Sequence, residues 1–178
     1  MVISALDFMD KNEYKKIRDL FLVIDSFSSN WGLVGGIPRD YFIYKKILKI
    51  KELDILIEDI KNENLVKKIL EFLINSYKED IEKSIYHDKF LTGNIIFKGY
   101  NIDLITARTE KYSNIASLPI IYPTTLINDL LRRDITINSI LFQKTDFKEG
   151  IYYFKVIDIN NSIEDIKKKI SILYIRIL

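Results

Sequence analysis

The chain has 178 residues, 48% of them hydrophobic, which is enough length and apolar content for one folded domain. Its 27 basic and 25 acidic residues nearly cancel to a net charge of +2, so any nucleic-acid contact must come from a local patch. The absence of cysteine excludes disulfides and thiolate metal sites, and a single histidine, His87, all but excludes His-rich zinc sites and Ser-His or Cys-His catalysis.

Chemistry in this chain must therefore run on carboxylates, arginines and hydroxyls, with or without a metal that they hold. Met1 to Asp10 lacks the basic segment and long apolar run of a signal peptide, and no stretch approaches the length of a membrane span. A cytoplasmic protein with no membrane partner is the expectation.

In chain order, Lys11 to Ser26 sets Tyr14, Ile17, Leu20, Phe21 and Ile24 at helical spacing. Trp31 to Val34 is short and apolar, and Gly35-Gly36 then breaks the pattern. Ile37 to Leu48 reads as a helix with Pro38 in its first turn, where a missing N–H costs nothing. A strand over Leu53 to Ile57 and a helix over Asn64 to Asn75 follow. Thr92 to Lys98 and Tyr100 to Thr106 read as strands joined at Gly99. Thr125 to Leu131 and Ile135 to Phe142 read as helices, Tyr153 to Ile157 as a strand and Ile163 to Ile170 as a last helix. With no repeat or linker, residues 1–178 form a single α/β (α+β) domain, a mixed sheet flanked by helices.

Four polar groups interrupt these elements. Glu52 and Asp54 lie two apart on a strand and so share a face, where two carboxylates repel unless a cation sits between them. Hard oxygen ligands of this kind suit Mg²⁺; a solvated acidic strand edge is the ordinary alternative. Asp103 is an acid in the middle of an apolar strand, costly to bury alone and a third metal carboxylate if its strand lies beside Glu52 and Asp54. Placement on an exposed strand face explains it equally well. Gly35-Gly36 before a helix allows close backbone approach to a phosphate, with Arg39 one turn in; it is also an ordinary strand-to-helix turn. Finally, Asp129-Leu130-Leu131-Arg132-Arg133-Asp134 precedes Asn138. Salt bridges between helix ends, with Asp134 as a cap, account for the run but leave the polar Asn138 unexplained.

Taken together and in this order, the four groups resemble the tRNA nucleotidyltransferase and poly(A) polymerase family, bacterial-eukaryotic class, within the DNA polymerase β-like superfamily. Leu33-Val34-Gly35-Gly36 through Arg39-Asp40 is similar to the family's LVGGxVRD motif, and Glu52-Leu53-Asp54 to its DxD. Ile102 to Glu110 is similar to the third-carboxylate strand, and Asp129-Leu130 with Arg132 to Ser139 to DLxRRDFTINA. Ser117-Leu118-Pro119, Val156-Ile157-Asp158 and Glu164-Asp165-Ile166 are further likenesses.

The resemblance implies a catalytic head that adds nucleotides from ATP or CTP to a tRNA 3′ end. Glu52, Asp54 and Asp103 would hold Mg²⁺, Gly35, Gly36, Arg39 and Arg133 would hold the triphosphate, and Asp134 and Asn138 would contact the ribose. Glu52 departs from the family's Asp, and Pro38 from its Val. In the family a neck that selects ATP or CTP follows the head, and body and tail helices hold the tRNA. This chain stops where the neck begins, which implies a fragment, or a minimal enzyme with a second protein subunit supplying neck and body. Two rivals stand beside this reading: a small transferase that modifies a protein or small molecule, and a catalytically dead head that binds nucleotide.

Overall fold

An eight-stranded mixed sheet carries all three expected carboxylates. A computed structural model describes residues 1–45, 50–111, 118–133 and 135–169. The elements are β1 (Val2–Ser4), α1 (Lys11–Phe27), β2 (Trp31–Val34), α2 (Gly36–Tyr44), β3 (Glu52–Ile57), α3 (Leu65–Ser76), β4 (Ile81–His87), β5 (Thr92–Phe97) and β6 (Tyr100–Thr106). There follow β7 (Arg108–Lys111), β8 (Ile120–Pro123), α4 (Leu126–Leu131), β9 (Ile140–Lys148), β10 (Ile151–Asp158) and α5 (Ser162–Lys168). The sheet order is β1-β10-β9-β2-β3-β6-β5-β4, while β7 and β8 form a separate hairpin. β3 and β6 pair in parallel, and their neighbours in the sheet pair antiparallel. Among the described residues no helix is long and apolar enough to cross a membrane.

Helix α1 begins at Asp10, whose carboxylate accepts the Asn12 and Glu13 N–H groups, and it buries Ile17, Leu20, Phe21 and Ile24 completely. These residues, with Val66, Ile69, Leu70 and Leu73 of α3, cover one face of the sheet. Alternation along β3 sends Leu53, Ile55 and Ile57 into that core. Glu52, Asp54 and Leu56 therefore point to the other face, where Leu56 joins a smaller cluster with Val34, Ala107, Leu126, Leu130 and Leu141. The strands β5 and β6 are joined by a two-residue turn with positive φ at both Lys98 and Gly99, which fixes their register.

The expected helix over Ile135 to Phe142 is instead a 3₁₀ turn at Thr136–Asn138 followed by β9. Ile140, Leu141 and Phe142 are all buried because β9 lies between β10 and β2 with packing on both faces. Such a run loses strand alternation and imitates a buried helix. The helix expected over Ile37 to Leu48 is described as Gly36–Tyr44, and residues 46–48 of that expectation lie outside the described residues. Strands β1, β4, β7 and β8 were not expected from the sequence.

Gly32 sits in β2 between β9 and β3, and a Cβ there would lie 2.5 Å from the Phe142 carbonyl oxygen. Backbone must move to admit it, so Gly32→Ala is expected to cost about 1–3 kcal/mol in denaturant unfolding. An unchanged unfolding midpoint would contradict this packing.

Candidate active site

The parallel pairing of β3 and β6 places Asp54 directly opposite Asp103 and Glu52 opposite Asn101. Asp103 is held by Asn94 of β5, whose side-chain amide donates to Asp103 Oδ1 at 2.8 Å and to Asn101 Oδ1 at 2.8 Å. Asn101 Nδ2 in turn donates to Glu52 Oε1 at 3.0 Å. One polar ladder thus runs across three strands on one face. Asn94 and Asn101 were not singled out in the sequence; Asn101 lies two positions from Asp103 and shares its face, while only the β5–β6 register brings Asn94 to the same place.

Burial pushes the Asp54 carboxyl up to about 6, and the Asp103 and Glu52 charges push in the same direction. Arg133 and the Gly36 N–H oppose the rise and do not cancel it. Two hard oxygen donors with mutual repulsion and incomplete compensation suit a divalent cation such as Mg²⁺. Among the described residues, no three His, Asp or Glu side chains stand close enough to share one ion. What the side chains form is a pair, Asp54 and Asp103, with Glu52 held beside it by Asn101.

Gly35 has φ +69°, and a Cβ there would lie 2.1 Å from Asp54 Oδ2. Only glycine lets the β2–α2 turn approach the carboxylate this closely. Helix α2 starts at Gly36, whose N–H donates to Asp54, so the helix N-terminus lies against the carboxylate pair. Arg39, in the first turn, donates from Nε to Asp40 at 2.8 Å and from Nη1 to Asn138 Oδ1 at 3.2 Å. The fold therefore brings together two expected site residues that stand 99 positions apart.

Of the adjacent arginines, Arg132 binds the Arg108 carbonyl, Glu110 and Asp129. Arg133 binds Asp129 and lowers the energy of ionised Asp54. Asp134 lies outside the described residues. Beside Asp103 opens a cleft of about 330 Å³ whose lining includes Asn94, Thr92, His87, Arg108 and Arg133. The single histidine thus reaches the edge of the site, though its composition alone gave no reason to place it there.

This mixed sheet with its two-carboxylate face is the nucleotidyltransferase head fold. The chain belongs to the family described as the Poly A polymerase head domain, whose model matches residues 32–171. It is similar to the tRNA nucleotidyltransferase cca2 of Schizosaccharomyces pombe, 27% identical over 155 residues, covering 80% of this chain and 31% of that protein. A CCA-adding enzyme in its apo form II superposes with TM-score 0.71 and 26% identity, over 97% of this chain and 38% of the other. A CCA-adding enzyme in complex with CTP gives TM-score 0.62 and 27% identity, over 93% and 35%. The chain spans about a third of the length of these relatives.

Because the Asp54 carboxyl is raised in the fold, the folded state holds that proton more tightly than the unfolded chain does. The associated stability is present below the usual carboxylate range and is lost as pH rises through about 6. Without metal, Asp54→Asn is expected to raise stability at pH 7 by about 1–2 kcal/mol, after discounting for solvent screening. It should also flatten the loss of stability between pH 4 and 6, read as melting temperature against pH. A destabilised Asn variant would contradict this electrostatic account.

Proposed function

We propose that the chain is the catalytic head of a template-independent RNA nucleotidyltransferase that adds C, A or both to the 3′ end of tRNA. The observation that carries the reading is the in-register Asp54–Asp103 pair beside the Gly35-Gly36 turn, in a chain of the head-domain family. The names of the relatives support it: one is a tRNA nucleotidyltransferase and another a CCA-adding enzyme complexed with CTP. Asp54 and Asp103, with Glu52 next to them, would hold Mg²⁺, which would supply charge stabilisation for in-line attack of an RNA 3′-OH on a nucleotide α-phosphorus with pyrophosphate leaving.

The chain's own groups position the reactants. The Gly35-Gly36 turn lets a phosphate approach the backbone closely at the positive end of the α2 dipole, and Arg39 and Arg133 add fixed positive charge. Asn138, held by Arg39, offers polar atoms to the ribose, with Asp134 implied as its companion by the family likeness. Positioning and charge account for catalysis of this type, which asks little covalent chemistry of the protein. One observation favours a head that binds nucleotide without turnover: Glu52 stands where the family has Asp, and its carboxylate is engaged by Asn101 instead of joining the pair.

Mg²⁺-dependent incorporation of labelled nucleotide into tRNA decides between them. The transferase reading predicts incorporation by the parent chain and a loss beyond about a hundredfold in Asp54→Ala, with the fold retained. Glu52→Asp is expected to raise turnover or sharpen the Mg²⁺ dependence. A parent that binds MgATP yet incorporates nothing supports the non-catalytic head, and an Asp54→Ala variant within a few-fold of the parent overturns the metal assignment.

A further inference from the structure

Asp129 is 0% exposed, and its carboxylate pairs with two arginines, Arg132 and Arg133. Its two oxygens are used differently. Oδ2 accepts the Arg108 backbone N–H at 3.1 Å and Arg132 Nε and Nη2 at 3.1 and 2.8 Å, tying α4 to the start of β7. Oδ1 accepts Arg133, from Nε at 3.1 Å and Nη2 at 3.0 Å. Glu110 takes a further hydrogen bond from each of Arg108 and Arg132, so Arg132 has a second acid.

Resting on the transferase reading, we propose that Asp129 is a positioning residue that acts through Arg133, aiming its guanidinium at the phosphates bound over Asp54 and Asp103. Arg133 follows the end of a short helix, and its side chain is rich in rotamers, so an unheld guanidinium would sample many directions. The two-point contact from one buried oxygen removes that freedom. It leaves the guanidinium facing the cleft shared with Asp103, with its charge acting on Asp54. Oδ2 by itself accounts for the tie to β7, and the buried Oδ1 is satisfied by Arg133 four residues on.

The test is a double-mutant cycle on MgATP affinity, with melting temperature read in parallel, using the parent, Asp129→Asn, Arg133→Ala and the double variant. Arg133→Ala is expected to weaken MgATP binding roughly tenfold or more, as for loss of a charge-assisted hydrogen bond. Asp129→Asn should weaken it by a similar factor, and the double variant should bind no worse than Arg133→Ala alone. Melting temperature, by contrast, should fall further in Asp129→Asn because the Arg132 bonds are lost as well. Losses that multiply in the double variant, or an Asp129→Asn affinity within about twofold of the parent, overturn the proposal alone. A parent that binds no MgATP overturns the transferase reading and the proposal with it. Should Asp129→Asn not fold, Asp129→Glu keeps the charge and displaces the carboxylate by one methylene, and the same cycle is read with it.

Discussion

Two carboxylates facing each other across a parallel strand pair repel, and most of what surrounds Asp54 and Asp103 answers to that repulsion. The parallel register of β3 and β6 fixes the pair, because a slip of one residue in either strand would send that strand's acid into the core under α1 and α3. On the face they occupy, the apolar cover is the small cluster beneath α4. Asn94 donates to one acid and the Gly36 N–H to the other, but donors of this kind only reduce the cost of ionisation. A raised Asp54 carboxyl shows that the reduction is incomplete, which is the physical reason the pair suits a cation.

The remaining groups converge on this pair from separate parts of the chain. The β2–α2 turn arrives because β2 pairs with β3, and its glycine lets the backbone pass against Asp54. The 3₁₀ turn that carries Asn138 leads into β9, which pairs with β2, so Asn138 comes to rest beside Arg39. Arg133 comes from the end of α4, braced by Asp129, while Arg132 and Glu110 lock the same helix to β7. Both arginines line the cleft beside Asp103, and both are held by Asp129.

Much of this was legible in the residues. Period-two alternation placed Glu52 with Asp54, the Gly-Gly break marked the turn against the pair, and Gly99 marked the β5–β6 hairpin. Less legible was whatever depended on pairing between distant strands. Nothing in Asn101 to Ile105 says that its neighbour is β3, that the pairing is parallel, or that Asp103 meets Asp54 instead of Glu52. The ladder through Asn94 and Asn101 follows only from that register. Ile140 to Phe142 misled for a related reason: a strand buried on both faces carries no alternation, and its partners β10 and β2 lie elsewhere in the chain. Edge strand β4 hid for the opposite reason, since its residues are half-buried or exposed and leave a weak pattern.

The central claim is that Asp54 and Asp103 are arranged to share a divalent cation under a nucleotide triphosphate. A crystal structure of this chain grown with Mn²⁺ and a non-hydrolysable ATP analogue tests it most directly, through the anomalous signal of the metal. The account predicts a peak between the two carboxylates, with the phosphates reaching from it to the α2 N-terminus and Arg133. Manganese bound elsewhere, or a triphosphate that avoids the Gly35-Gly36 turn, would contradict it.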